Sequence, residues 1–440
     1  MPASPLDSAL YRDLFGDVEV GQLFADAAEI RAMMLVEGAL AKVQGQLGVI
    51  PETSAHAIHR AAHELQLDPA SLAGPTGQNG VPVPGFVAAF REEMNAPEHA
   101  QYLHWGATSQ DIIDTGLAMR ICQALAILDV RLASLLQRLG DLAEAHATTP
   151  MLARTWGQAA VPTSFGAVVA SWGAPLARQR DRLAEVRRGI EVVTLSGAAG
   201  TLSAMNKGAE VRATLANALD LADPGASRHS TRDGQAALAS WITGVSNGLG
   251  KFGEDLIFLA ATGIGEVRLS GAGSSSTMPQ KSNPVAPSVL AALARLNTAL
   301  NSAMQGASVH ANQRDGAVWF AEWLTLPQMI LGAARGLATG SEIAASLTPV
   351  PNVMSANIEA TGGAVFAEAL TFELARQMPR PEAQAAVKAL VAETSAGGLT
   401  LQEALGNKFS DIDIEKVFST THQLGTAPDE ARAFARACRS

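Results

Sequence analysis

The sequence predicts an all-α fold: three helical domains arranged around a central bundle of long helices. Three observations carry that prediction. Of 440 residues, 48% are apolar and 17% charged, with aromatic residues at 5%, a balance that suits helices packed on helices. Apolar residues recur three or four apart at Ile113, Leu117, Ile121, Leu125, Leu128, Leu132, Leu135, Leu139 and Leu142, with no proline between. No stretch alternates as a half-buried strand does over any length.

Taken in order, the stripe Ile30, Met33, Met34, Leu40, Val43 and Leu47 predicts a helix over 26–47 that stops at "GVIP". The Gly- and Pro-rich stretch Leu72–Pro84, "LAGPTGQNGVPVP", predicts loop. The 113–147 pattern is far longer than the usual helix of about eleven or twelve residues. Further long helices are predicted at about 163–190, 234–264 and 286–308. Two prolines break the pattern at Ser346–Asn352, and shorter helices with joints such as "SAGGLT" follow. The domains are therefore placed at 1–111, 112–350 and 351–440. Helices this apolar need cover on more than one face, which predicts a homo-oligomer sharing a larger bundle.

The formal charge of −10 argues against nucleic acid or an anionic membrane as partner. An anionic substrate would have to be attracted locally, against the field of the whole chain. Two cysteines, Cys122 and Cys438, form no disulfide framework and fit a reducing cytoplasm. The N-terminal stretch lacks the basic and apolar regions of a signal peptide, and no apolar run is long enough to span a bilayer. A cytoplasmic location is expected. No metal-ligand cluster, phosphate loop or dinucleotide fingerprint is present, so no cofactor and no metal are predicted.

Chemistry in a helical protein belongs where helices are interrupted, and three interruptions are rich in polar groups. In "HWGATSQDIIDT", His104–Thr115, residues Thr108, Ser109 and Asp111 crowd a helix N-terminus, where free N–H groups favour an anion. Asp111 alone reads as an N-cap; Thr108 and Ser109 beside His104 read equally well as an anion site next to an acid/base residue. In "RTWGQAAVPTSFG", Arg154–Gly166, Thr155 and Gln158 flank a tight turn that Gly157 permits, although the segment alone reads as a helix–helix joint. The third, "AGSSSTMPQKSNP" at Ala272–Pro284, has three serines, two prolines and one Lys, too particular a set for a linker.

The pattern Ser-Ser-x-Met-Pro-x-Lys-x-Asn-Pro at Ser275–Pro284 resembles the signature of the fumarase/aspartase superfamily, and the other two segments resemble its remaining active-site segments in the same order. The resemblance covers about Leu10 to Leu405. It implies three helical domains whose central helices assemble, in a homotetramer, into a twenty-helix core, with active sites shared between subunits. It also implies β-elimination or its reverse next to a carboxylate. Ser275 then matches the catalytic serine of a mobile loop, and Lys281 and Asn283 match residues that hold a substrate carboxylate, with Ser276 beside them. His104 matches a general acid, Thr108 and Ser109 its anion-binding pair, and Thr155 and Gln158 substrate-binding positions.

The departures select a branch. Adenylosuccinate and argininosuccinate lyases carry a catalytic His where Trp156 stands, and an indole N–H only donates. Trp at this place, the wording "HWGATSQDIIDT" and the segment "WFAEWLTLP" at Trp319–Pro327 resemble the 3-carboxy-cis,cis-muconate cycloisomerase branch. The Arg-Tyr start of adenylosuccinate lyases is missing. That branch implies closure of a γ-lactone from a tricarboxylate, an intramolecular lyase step of protocatechuate breakdown. The burden on the protein would then be local positive charge: Lys281 first, then Arg154, Arg232 and Arg314, each of the three arginines reading equally as a structural salt bridge. Gln280, Ser282, Ser274 and Ala311-Asn312-Gln313 depart from the branch, with Arg314 retained, and these departures bear on the substrate. Two alternatives stay open: an adenylosuccinate-lyase-like β-eliminase releasing fumarate, and an inactive structural homologue.

Overall fold

Helices built on the predicted stripes dominate the chain. The computed structural model describes residues 4–271, 273, 274, 278, 281–406, 408, 409 and 412–439. Two compact units emerge, each from separate stretches of sequence. The first comprises Met1–Arg131, Gln179–Asn247 and Leu293–Leu337, the second Leu132–Arg178, Gly248–Ala292 and Ala338–Ser440.

The stripe of 113–147 lies on a helix of 37 residues, Ser109–Ala145, where Ile113, Ile121, Leu125, Leu128, Leu132, Leu135 and Leu139 are buried. The helices Phe165–Ile190, Asp233–Leu259 and Val285–Ala307 agree with the other three expected long elements to within a few residues. A fifth long helix, Gly316–Ser346, was not expected. Pro327 lies inside it and costs about 3 kcal/mol there. Leu326, Met329, Ile330, Ala333, Ala334 and Leu337 are all buried around that proline, and their packing outweighs the local cost.

In the first unit the helix Asp26–Gln46 packs on Glu52–Glu64. Gly38 and Gly45 make the close approach possible: a Cβ on Gly38 would stand 2.6 Å from Cβ of Ala62, and one on Gly45 would collide with Ala55. Met33, Leu40, Val43, Phe86, Phe90, Leu103 and Ile112 form the core around this pair. The expected loop at 72–84 is instead partly helical, Ala73–Asn79. Pro75 sits in its first turn, where no backbone donor is needed, and Gly80 at φ +72° ends it.

The second unit contains what the sequence reading denied, strands. Pro150–Thr155 pairs antiparallel with Gln158–Ser164 across Trp156 and Gly157, both at positive φ (+55° and +75°), as a two-residue hairpin turn requires. The alternation that would announce these strands is missing because each contains a proline or alanines, and an irregular register between Leu152 and Arg154 shifts the pattern. Phe165, Trp172 and Phe252 stack behind, with Trp172 Nε1 donating to Asp255 at 2.7 Å. Helices from Pro351–Glu359 to Ala427–Arg439 close the chain, several of them around Leu370, Leu374, Val387 and Leu401. Among the described residues no helix is long and apolar enough to cross a membrane.

Candidate active site

The first unit holds four of the expected site residues, His104, Thr108, Ser109 and Arg314. Two left-handed residues, His104 at φ +64° and Gly106 at φ +73°, turn the chain sharply just before the long helix begins at Ser109. His104 Nδ1 lies 2.6 Å from Oε1 of Glu37, and its backbone N–H donates to Oε2 of the same carboxylate at 3.1 Å. Glu37 is 1% exposed. Burial disfavours charge on His104, but the charge and hydrogen bond of Glu37, helped by Asp111, outweigh it and hold the imidazole pKa above its ordinary value.

Asp111 is not the N-cap that it reads as in the sequence: the helix begins at Ser109, which makes Asp111 the third residue of its first turn. Its Oδ2 accepts from Thr108 N–H at 2.9 Å, closing the helix start, and from Gly197 N–H at 3.0 Å. Its Oδ1 accepts from Ser196 N–H at 2.8 Å and lies 2.8 Å from His229 Nε2. One carboxylate thus ties the 196–197 segment and His229 to the Thr108–Ser109 turn, leaving both hydroxyl residues half-buried at the helix N-terminus.

Geometry separates the three weaker arginines. Arg232 is 2% exposed and fully engaged by carboxylates: Nε donates to Glu322 at 2.8 Å, one terminal nitrogen to Asp114 at 2.6 Å, and the other to Glu322. Burial opposes its charge, yet the two carboxylates hold it firmly protonated. Arg154, in the second unit, makes a two-pronged bond to buried Glu266 at 2.8 and 2.9 Å. Arg314 differs. Its partners are neutral, Gln110 Oε1 at 2.9 Å and Ala198 O at 3.3 Å, and no acidic group among the described residues pairs with it. The amide of buried Gln110 aims it, since Nε2 donates to Asp114 and to His229 O, which turns Oε1 toward the guanidinium.

The second unit holds the remaining expected residues. Thr155 and Gln158 are exposed partners across the hairpin turn, and Trp156 at its tip is 100% exposed. The serine-rich segment is closed at its base, where Gly273 pairs with Asn283 and Ser274 with Ser282. Lys281 is exposed, its N–H donating to Met278 O at 3.0 Å, and Asn283 is half-buried. Ser275 and Ser276 lie outside the described residues. Among the described residues no group of three or more His, Cys, Asp or Glu is placed to hold a metal.

The sequence reading passed over Glu37, and the signal was there: "LVEGAL" puts one carboxylate in an otherwise apolar run, Ala32–Ala41. It also gave no role to Asp114 and Glu322, although they lie in the segments His104–Thr115 and Trp319–Pro327, nor to His229, which lies between helices.

A helical fold with its polar groups gathered at helix interruptions defines a class, and comparison with known proteins gives it a name. A family model described as "Lyase" matches residues 11–296, and the chain belongs to this lyase family, as an enzyme of the fumarase/aspartase superfamily. It is 36% identical to a 3-carboxy-cis,cis-muconate cycloisomerase of Pseudomonas aeruginosa over 92% of this chain and 91% of that protein. A protein of the same description from Acinetobacter baylyi is 32% identical over 97% and 98% of the two chains. The crystal structure of a 3-carboxy-cis,cis-muconate lactonizing enzyme from Pseudomonas putida superimposes with a TM-score of 0.92 at 31% identity, covering 98% of this chain and 99% of that one.

Proposed function

We propose that this enzyme is a 3-carboxy-cis,cis-muconate cycloisomerase, an intramolecular lyase acting on a small tricarboxylate of aromatic breakdown. The observation that carries the reading is the extent of the match: relatives described by that activity align over at least nine-tenths of both chains. In the reaction one carboxylate of the substrate adds to a C=C bond, closing a lactone, and the neighbouring carbon takes a proton. Nucleophile and alkene are already tethered, so geometry supplies much of the acceleration. The remaining task is to hold three mutually repelling carboxylates together.

Three cations answer that task in this proposal. His104, as the imidazolium, presents Nε2–H to the attacking carboxylate, which is the leaving group in the reverse direction. Arg314, free of acidic partners among the described residues, holds a second carboxylate, with Thr108 and Ser109 at the helix N-terminus beside it. Lys281, with Asn283 and Ser276, holds the third. The Ser275 hydroxyl gives the proton to carbon and takes it back, as base, in the reverse elimination. Thr155 and Gln158 complete the binding surface. Trp156, a donor only, takes no part in proton transfer.

A homotetramer with active sites shared between subunits belongs to the same proposal, as do the three-domain division at 111 and 350 and a cytoplasmic location. The test is product identity. Incubation with 3-carboxy-cis,cis-muconate in D2O should give a lactone with one deuterium on the carbon beside the new C–O bond. Fumarate release from adenylosuccinate without lactone formation would replace this reading by the β-eliminase, and turnover of neither would leave an inactive homologue.

A further inference from the structure

We infer that Glu37 is a positioning residue that dictates which nitrogen of His104 meets the substrate and keeps that nitrogen armed with a proton; the inference rests on the reading of His104 as the imidazolium of the site. Both oxygens of one buried carboxylate are spent on a single residue, Oε2 on the His104 backbone N–H and Oε1 on Nδ1. An ionised carboxylate only accepts, so Nδ1 must carry hydrogen, and Nε2 is the nitrogen left to act. Nε2 has no hydrogen-bond partner among the described residues. The same two bonds hold His104 at φ +64°, a conformation that costs a non-glycine residue about 1–2 kcal/mol and persists only where its surroundings over-determine it.

Glu37 sits on a closely packed stretch of helix. It precedes Gly38, where the Asp26–Gln46 helix passes so near its neighbour that a Cβ would stand 2.6 Å from Cβ of Ala62. The groups facing His104 come from three elements. Glu37 and Asp111 favour the imidazolium, while burial and Arg91, whose guanidinium donates to Leu103 O at 2.9 Å, oppose it. Without the charge on Glu37, Asp111 alone faces that opposition.

The substitution Glu37→Gln separates positioning from packing. Its amide offers one acceptor and one NH2 group to two donors, the backbone N–H and Nδ1–H. The backbone cannot give up its hydrogen, so the ring must. Nδ1 then accepts from the amide, the ring is neutral, and the single hydrogen moves to Nε2. Glu37→Asp retains the charge at shorter reach.

The experiment is the pH profile of kcat for lactone formation by the assembled enzyme and the three variants Glu37→Gln, Glu37→Asp and His104→Gln, with imidazole 15N spectra of the first. A group needed in its protonated form makes activity fall as pH rises through its pKa. In Glu37→Gln that alkaline limb should move down by about one pH unit or more, a tenfold loss on the alkaline side for each unit. KM should be little changed, and the 15N spectra should move from a protonated Nδ1 to a bare one. Glu37→Asp should recover part of the limb. A Glu37→Gln enzyme with the limb unmoved and only its melting temperature lowered, while His104→Gln is inactive, would overturn the inference and leave the role of His104 standing. Full turnover by His104→Gln would remove the role of His104 itself, and with it the inference.

Discussion

Replacing Arg232 by Met asks whether this arginine serves the substrate or the fold. The side chain is 1% exposed, its three guanidinium nitrogens all face carboxylates, and those carboxylates, Asp114 and Glu322, are 3% and 2% exposed. Met fills much of the same volume but removes the only positive charge that the two acids share within ion-pair distance among the described residues, leaving two buried anions. Among the described residues His310, 3.6 Å from Glu322, and two donors to Asp114, the indole N–H of Trp319 and the amide Nε2 of Gln110, both at 3.1 Å, remain to answer them. Removing one partner of a buried ion pair costs about 3–5 kcal/mol, mostly the penalty of the uncompensated charge left behind. For a unit of this size each kcal/mol lowers the melting temperature by roughly 2–4 °C, so thermal unfolding should shift down by about 6–20 °C. Neutralising the acids together with the arginine, in Arg232→Met with Asp114→Asn and Glu322→Gln, should recover much of that loss. A melting temperature within 1 °C of wild type combined with a raised KM would refute the structural account and make Arg232 a substrate ligand.

Gly38→Ala sets a methyl 2.6 Å from Ala62 Cβ, against an ordinary carbon separation of about 3.5–4.0 Å, and should destabilise by about 1–3 kcal/mol. The reciprocal pair Gly38→Ala with Ala62→Gly should restore most of this in a denaturant titration, and failure to do so would place the strain elsewhere. Cys122 should resist alkylation at pH 8: burial, then the charge and hydrogen bond of Glu191, push its thiol up to about 12. The thiolate fraction then falls roughly 10³-fold below that of a free cysteine, so iodoacetamide labelling as fast in the native as in the unfolded enzyme would contradict the environment described.

Helices were the legible part of the sequence because their periodicity is repeated over many residues, and a stripe such as Ile113 to Leu139 leaves no competing reading. Gly316–Ser346 escaped because Pro327 suggests a break and because it is apolar on nearly every face, so no stripe stands out. The hairpin escaped because its strands are short and carry no alternation, although the turn at Gly157 was readable from one glycine. Loop residues of the site announced themselves by motif. The pairing of their supports did not: Glu37 reaches His104 from 67 residues away, and the Asp114–Arg232–Glu322 cluster draws on three separate stretches. A buried charge is visible in sequence as an anomaly in an apolar run, but its partner is set by packing. The choice among Arg154, Arg232 and Arg314 is open in the sequence for the same reason: the carboxylates that pair with the first two, Glu266, Asp114 and Glu322, are brought to them by packing.

The most direct test of the account is the ultraviolet absorbance of 3-carboxy-cis,cis-muconate on addition of the enzyme and of its Ser275→Ala variant. The conjugated diene absorbs strongly and the lactone does not. The account predicts a rapid fall with the wild type and a rate about 10²–10⁴-fold lower with Ser275→Ala, at an unchanged melting temperature. Constant absorbance at high enzyme concentration would contradict the proposed substrate, and an equal fall with both proteins would contradict the catalytic role of the serine.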